Sequence, residues 1–274
     1  MTSTTMKNIY SLVDIKVNVP FAYKQVVSCK ALKFIADLHL NFNDRRLELL
    51  TMREEKRNRV SKNLKSEIAQ NSNDGQNFNL KPSFNLKVFK DRQIEILGPD
   101  EIDSKKNLFK SEGKINLIHF ESANARSWSN LIEIQIILKE AINSIFNTSS
   151  SDDNQIICET ANEIPVMVCP RNLSMDEKSL YVDGNPLSAA FFDLGLFLFH
   201  NAKNLSENGS CTYLYLDKIE NYYEAKFWNE IIAYSEEELS LQEGTIKTMM
   251  TFVPSLAGFE KDHINQELKG HLLN

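Results

Sequence analysis

The run Leu180-Tyr181-Val182-Asp183-Gly184-Asn185-Pro186-Leu187-Ser188-Ala189-Ala190-Phe191-Phe192-Asp193-Leu194-Gly195-Leu196-Phe197-Leu198-Phe199-His200-Asn201-Ala202 joins a turn to a long apolar segment. Asp183-Gly184-Asn185-Pro186 has turn composition, because glycine and proline supply the special backbone angles. The segment that starts near Ser188 is too long for one strand. Its apolar residues Phe191, Phe192, Leu194, Leu196, Phe197, Leu198 and Phe199 cover most of a helix circumference, which predicts a helix buried between a sheet and other helices. It is also too short to span a membrane, which takes about 20 mostly apolar residues.

Outward from this helix the chain alternates strand and helix. Candidate strands lie at 93–97, 115–120, 166–169, 212–216 and 246–253, and helical stretches at 131–146, 188–205 and 223–239. Strands separated by helices of this length pair in parallel through right-handed crossovers. The expected class is therefore α/β, a partial TIM-type (β/α) barrel of about five β/α units, since a closed barrel needs eight. Ahead of it, Ser28 caps a helical pattern through Leu32, Phe34, Ile35, Leu38, Phe42, Leu47, Leu49 and Leu50, with a break expected at Asn43-Asp44. The runs Ile9 to Val13 and Val17 to Phe21 carry no chemistry. A polar stretch rich in Asn, Ser, Gln and Asp reads as a linker. The expected division is an N-terminal helical region over 1–65, a linker over 66–90 and the barrel portion over 91–274.

With 274 residues, 42% apolar and 25% charged, the chain can build a sizeable core. A net charge of −6 and no dense basic cluster argue against nucleic acid as a partner. The sign-alternating run Arg53-Glu54-Glu55-Lys56-Arg57-Asn58-Arg59 and the acidic run Glu236-Glu237-Glu238 read as solvated helix faces. Cys29, Cys158, Cys169 and Cys211 have no C-x-x-C spacing and no disulfide framework, so a reducing compartment is expected. With no secretory signature, no membrane span and no peroxisomal Ser-Lys-Leu ending, the expected location is intracellular, cytoplasmic or nuclear.

Several blocks, in order, resemble malate synthase in its shorter plant, fungal and bacterial form. Ala31-Leu32-Lys33-Phe34-Ile35 and Phe42-Asn43-Asp44-Arg45-Arg46-Leu47-Glu48-Leu49-Leu50 resemble its N-terminal helices, and Glu95-Ile96-Leu97-Gly98-Pro99 the strand and turn that begin its barrel. Phe120-Glu121-Ser122-Ala123-Asn124 with Trp128 and Gln135 resembles an Asp-Phe-Glu-Asp-Ala/Ser block. The closest likenesses are Val182-Asp183-Gly184, Phe192-Asp193-Leu194-Gly195-Leu196, His200-Asn201-Ala202-Lys203, Glu224-Ala225-Lys226 with Trp228-Asn229, and Gly244-Thr245-Ile246-Lys247. The resemblance implies condensation of acetyl-CoA with glyoxylate. That chemistry needs carboxylates for a magnesium ion, an arginine to balance charge on the reacting oxygens and a carboxylate base for the acetyl methyl proton.

Position by position the chain departs from that set. The block Cys169-Pro170-Arg171-Asn172-Leu173 resembles the family's Arg-Pro-Arg-Gly-Trp, so Cys169 stands where the resemblance implies the catalytic arginine. A thiol supplies no positive fork of donors. Val253 stands where it implies a magnesium-binding glutamate, His119 where it implies an aspartate and Ser122 where it implies another acid. Glu121 is retained. The second metal-binding aspartate and the base are expected beyond Asn274. This leaves Glu121, Asn124 and Arg171 as a remnant pocket, with no catalytic residue and no metal site. Arg171 matches the second arginine of the block, and Cys169 reads as a buried, inert thiol with no acid or histidine near it in sequence. His119 and Glu121 share a strand face at i, i+2 but lack a third ligand. Asp193 and His200 read as stabilising residues, Trp128 and Trp228 as packing anchors, and His39 as packing or surface.

The expected function is a catalytically inactive malate synthase-like protein, a scaffold or regulatory subunit of a complex, with no cofactor. An open run of parallel strands leaves an edge and an apolar interior to cover, so a protein partner or self-association is expected there. Two alternatives stand beside it. One is residual malate synthase activity in the glyoxylate cycle, with magnesium, favoured by Glu121. The other is a non-functional truncated gene copy, against which the intact apolar pattern of the helices argues.

Overall fold

The structure is a computed structural model and describes residues 12–68, 93–97, 114–121, 127–147, 166–253 and 260–273. All five expected strands form: β2 (Gln93–Leu97), β3 (Lys114–His119), β4 (Val166–Cys169), β7 (Thr212–Ile219) and β8 (Ile246–Phe252). They lie in the order β2-β3-β4-β7-β8, every pair parallel. Spatial order follows chain order without reversal, which is the winding of a barrel and not of a doubly wound sheet. Between the strands run α2 (Trp128–Asn147), α3 (Ala189–Glu207) and α4 (Tyr222–Glu238), and α5 (Lys261–Glu267) follows β8. Five β/α units of an open, barrel-type sheet are thus present, as expected. No described helix is long and apolar enough to cross a membrane.

Alternation along the strands divides the core. Ile118, Phe120, Val168, Leu214, Leu216 and Ile246 pack on the helix side in one large cluster. Ile115, Leu117, Met167, Cys169, Tyr213 and Met249 form a second cluster on the inner face. The apolar interior expected to lie uncovered is not exposed: these six side chains are 0–6% accessible within the single chain. Inward-pointing groups of the curved sheet bury one another, so the inner face by itself requires no partner.

The N-terminal region departs from expectation in three ways. The helix α1 runs unbroken from Cys29 to Ile68. Asn43 does not end it, because its side-chain oxygen accepts from Arg46 Nε at 2.9 Å and turns the polar group onto the helix's own buried face. The helix thereby also runs three residues past the expected boundary at 65, and the rest of the linker lies outside the described residues. Part of the apolar run near Val13 is a strand, β1 (Val13–Ile15), antiparallel to β5 (Asp176–Val182). With β6 (Asn185–Ser188), β5 forms a hairpin, closed by Asp183 at φ 48° and Gly184 at φ 76°. A two-residue Asp-Gly loop with two positive φ values is the turn whose twist suits a hairpin. The quoted run therefore holds a hairpin before its helix, whereas only a turn was expected there.

Two charged runs expected on the surface are partly buried. Arg53 is buried with Nε and Nη2 on the Glu224 carboxylate at 2.8 and 2.9 Å. Arg57 pairs with Glu220, and Lys56 with Glu260 at 3.1 Å. The second half of α1 therefore clamps the start of α4. Glu236 is buried as well, its carboxylate accepting from the Ile246 and Gly244 amides at 2.7 and 3.0 Å. Both runs contain side chains whose charge is met by partners distant in sequence, which no local pattern announces.

Where α1 meets the small sheet, His39 is 4% exposed and its Nδ1 has no hydrogen-bond partner. Burial, and secondarily the Arg46 charge, lower its pKa from 6.5 to about 4. A histidine with a depressed folded-state pKa contributes full stability above its unfolded value. That stability is lost as the unfolded chain takes up the proton, and the loss levels off below about 4. Acidification from pH 7 to 4 is therefore expected to cost on the order of 3 kcal/mol through this residue. Urea denaturation across that range should show the wild type losing this much more than His39→Leu. Equal slopes for the two proteins would remove His39 as the cause.

Candidate functional site

The C-terminal ends of β3, β4, β7 and β8 gather the polar side chains of the sheet, the end at which barrel folds carry their sites. His119 ends β3 in register with Cys169 at the end of β4. The His119 Nδ1 accepts from the Glu121 amide at 3.3 Å, and Glu121 is exposed. Cys169 is 1% exposed on the inner face, and burial pushes its thiol pKa up, against thiolate chemistry. Val253 follows β8, half-buried, and its amide donates to the Ile219 carbonyl at 3.0 Å. Ser122 and Asn124 lie outside the described residues.

Glu121 and Arg171 line one cleft, together with Arg53, Asn172, Tyr215, Asp217 and Trp228. Its free volume is about 20 Å³, roughly room for one water. Arg171 leaves β4 and turns away from the cleft. Its Nε and Nη2 donate to Asp193 at 2.8 Å each, Nη1 to Glu177 at 2.9 Å, and its amide to Asp193 at 2.9 Å. Burial disfavours the guanidinium charge, but Asp193 and Glu177 more than reverse this and hold its pKa above the ordinary value. Asp193 is itself pushed up by burial and drawn back down by Arg171. This buried triad ties β4, β5 and α3 together. Arg53 is spent likewise: besides its two bonds to Glu224, its Nη1 donates to Asn172 at 3.3 Å. Both arginines at the cleft are thus engaged by carboxylates of the chain itself, and neither offers an anion a free fork.

Sequence reading missed the β7 end. The β7–β8 register shifts between Leu216 and Ile219, and Lys218 sits there at φ 58°. A bulge of this kind re-aims side chains at a sheet rim. The Lys218 amide donates to Thr251 Oγ1 at 3.0 Å, and that hydroxyl donates to Asp217 at 2.7 Å. Burial raises the Tyr215 pKa beside them. The available signal was the polar pair Asp217-Lys218 closing an otherwise apolar strand. For Arg53 it was the spacing of seven from Arg46, which places both on the buried face of α1.

A magnesium ion needs several oxygen ligands at short range. No group of three histidine, cysteine, aspartate or glutamate side chains able to hold a metal occurs among the described residues. Asp217 is engaged by Thr251, and by Lys218 at 3.0 Å. The residues at this rim do not fit a magnesium centre.

The fold and the rim can now be set beside known proteins. The model of the malate synthase N-terminal domain matches residues 11–64, and that of the malate synthase TIM barrel domain matches residues 165–274, together more than half of the chain. The chain belongs to the malate synthase family. It is 30% identical to a malate synthase of Myxococcus xanthus over 249 residues, covering 91% of this chain and 46% of that protein. Malate synthase A of Escherichia coli is 28% identical over 251 residues, 91% of this chain and 47% of that protein. A bifunctional glyoxylate cycle protein of Caenorhabditis elegans is 30% identical over 268 residues, 91% of this chain and 26% of that protein. The chain spans about half the length of the first two relatives. The barrel match begins at β4, yet β2 and β3 continue the same parallel sheet, so the malate synthase architecture extends further toward the N-terminus than the matched segment.

Proposed function

We propose that this malate synthase relative does not itself condense acetyl-CoA with glyoxylate and works as a non-catalytic scaffold or regulatory subunit of a protein complex. The observation that carries this reading is the state of the cleft. Arg171 is locked by Asp193 and Glu177, Arg53 by Glu224 and Asn172, and Cys169 is buried where the resemblance implies a charge-balancing arginine. Val253 offers no oxygen where the resemblance implies a metal carboxylate. Losing one group that stabilises developing charge costs about 100- to 1000-fold in rate. Two such losses multiply.

A second reading, residual condensation, has one observation in its favour: the carboxylates Glu121 and Asp217 border the same cleft. A magnesium-dependent assay of coenzyme A release separates the two. With acetyl-CoA and glyoxylate, the rate is expected to fall at least about 10⁴-fold below that of the Myxococcus xanthus enzyme. Turnover within about 100-fold of that enzyme, abolished by Glu121→Gln, would establish residual condensation instead. The scaffold role has its own test in sedimentation of the protein purified from its own cells. A stoichiometric heteromeric complex supports the role, and a monodisperse lone monomer opposes it.

A further inference from the structure

The sheet has one rim whose chemistry is half used. After α5 the chain returns to β8, where Leu272 pairs in parallel with Thr248. The Thr248 amide donates to the His271 carbonyl at 2.6 Å, and the Leu273 amide to the Thr248 carbonyl at 3.0 Å. Residues of a strand between two parallel neighbours bond to either side by turns. The odd-numbered residues of β8 bond to β7, as the pairings around Thr212 and Val253 show. The even-numbered ones face the rim. Thr248 is therefore satisfied, while the amides and carbonyls of Met250 and Phe252, further up the same rim, meet no partner among the described residues.

We propose that the rim of β8 at Met250 and Phe252 receives a parallel β-strand from a second polypeptide, one that carries a malate synthase-type β/α unit. This rests on the scaffold reading and names its partner. The pairing of Leu272 with Thr248 sets the direction and register that such a strand continues. It also sets its chemistry. Leu272 packs with the helix-side core and Leu273 with the inner cluster, as Met250 and Phe252 do on the one side and Met249 on the other. A strand in that place is buried on both faces and must be apolar almost throughout, the composition of a barrel strand and not of an amphipathic surface peptide. The matched relatives are about twice as long as this chain, so the family contains further sequence from which such a unit can come.

Proline tests the rim selectively, because it removes one N–H and is tolerated where that N–H leaves the sheet. The full chain, tagged and purified from its own cells, is compared with Met250→Pro and with the side-chain control Met250→Leu. Phe252→Pro serves as a second rim variant should Met250→Pro fail to fold. Expected is a co-eluting protein whose peptides belong to a malate synthase barrel. Its recovery should drop at least about tenfold in a proline variant that keeps its melting temperature, and remain in Met250→Leu. Hydrogen exchange should show Met250 and Phe252 amides exchanging fast in the lone chain, with Met249 and Thr251 protected, and all four protected in the complex. Four results would each overturn the proposal: a partner retained by the folded proline variants, a partner without a malate synthase segment, rim amides already protected in the lone chain, or no partner. A partner held elsewhere would leave the scaffold reading standing. Condensation activity in the purified complex, abolished by Glu121→Gln, would overturn the non-catalytic reading and leave the strand addition intact.

Discussion

Arg171→Ala is expected to cost about 3–5 kcal/mol of folding stability, the range for removing one partner from a buried ion cluster. The substitution strands Asp193, wholly buried, and Glu177, 6% exposed, with no cation beside them. Such domains have only about 5–15 kcal/mol in total, so urea denaturation should find the variant marginal or unfolded. The triple variant Arg171→Met, Glu177→Leu, Asp193→Leu is expected to recover most of the loss, because an ion cluster replaced as a whole leaves no uncompensated charge. Recovery stays incomplete by about 1–3 kcal/mol, since the backbone amide of residue 171 loses its Asp193 acceptor. A single-variant loss below about 1 kcal/mol would mean that packing, and not the triad, joins β4 to α3.

Gly195→Val is expected to destabilise by about 3 kcal/mol, the upper range for overpacking a core. A Cβ built at Gly195 would stand 2.7 Å from Ile35 Cγ1 and 3.5 Å from Leu38 Cδ1, inside the crossing of α1 and α3. Ile35 and Leu38 are both buried, so neither has free space into which to turn. Gly195→Ala is the milder case. Its clash is offset by roughly 1 kcal/mol of helix propensity, and its net effect should be smaller. A double-mutant cycle isolates the contact: Ile35→Ala removes the obstructing Cγ1, so Gly195→Ala should cost at least about 1 kcal/mol less in that background. Additive effects would place the strain elsewhere.

The chemistry of the rim follows from the same packing. Asp193 lies two residues before Gly195 on α3, so the helix that approaches α1 through its glycine also delivers the carboxylate that occupies Arg171. The Phe192 ring beneath the Arg171 guanidinium stacks with Trp128, which ties α2 to the same node. A substitution that separates α1 from α3 is therefore expected to loosen Arg171 as well as the core.

Much of the architecture was legible in the sequence because its signals are local. Runs such as Val166-Met167-Val168-Cys169 are apolar on both faces, as strands of a buried parallel sheet must be. The helix 189–207 is apolar nearly all round because it is covered on most sides. The blocks that resemble malate synthase placed Cys169, Arg171 and Val253 at the strand ends where the structure has them. The hairpin of β5 and β6 was less legible, for its turn residues were plain but its strands are short, and the β1 that pairs with β5 lies far away in sequence.

Charge partnership was not legible at all. Arg53 and Glu224 are 171 residues apart, and Arg46 and Asp176 are 130 apart. In sequence each looks like any solvated charge, since exposure and pairing are properties of the assembled fold. The sequence by itself determined the strand and helix order, the barrel-type winding and which residue types stand at the rim. Only the tertiary structure decided that α1 is one unbroken helix, that both cleft arginines are bound by the chain's own carboxylates, and that the inner face is covered. The reason is physical: hydrophobic periodicity is written in neighbouring residues, whereas the desolvation and pairing of a charge depend on groups that only folding brings within about 3 Å.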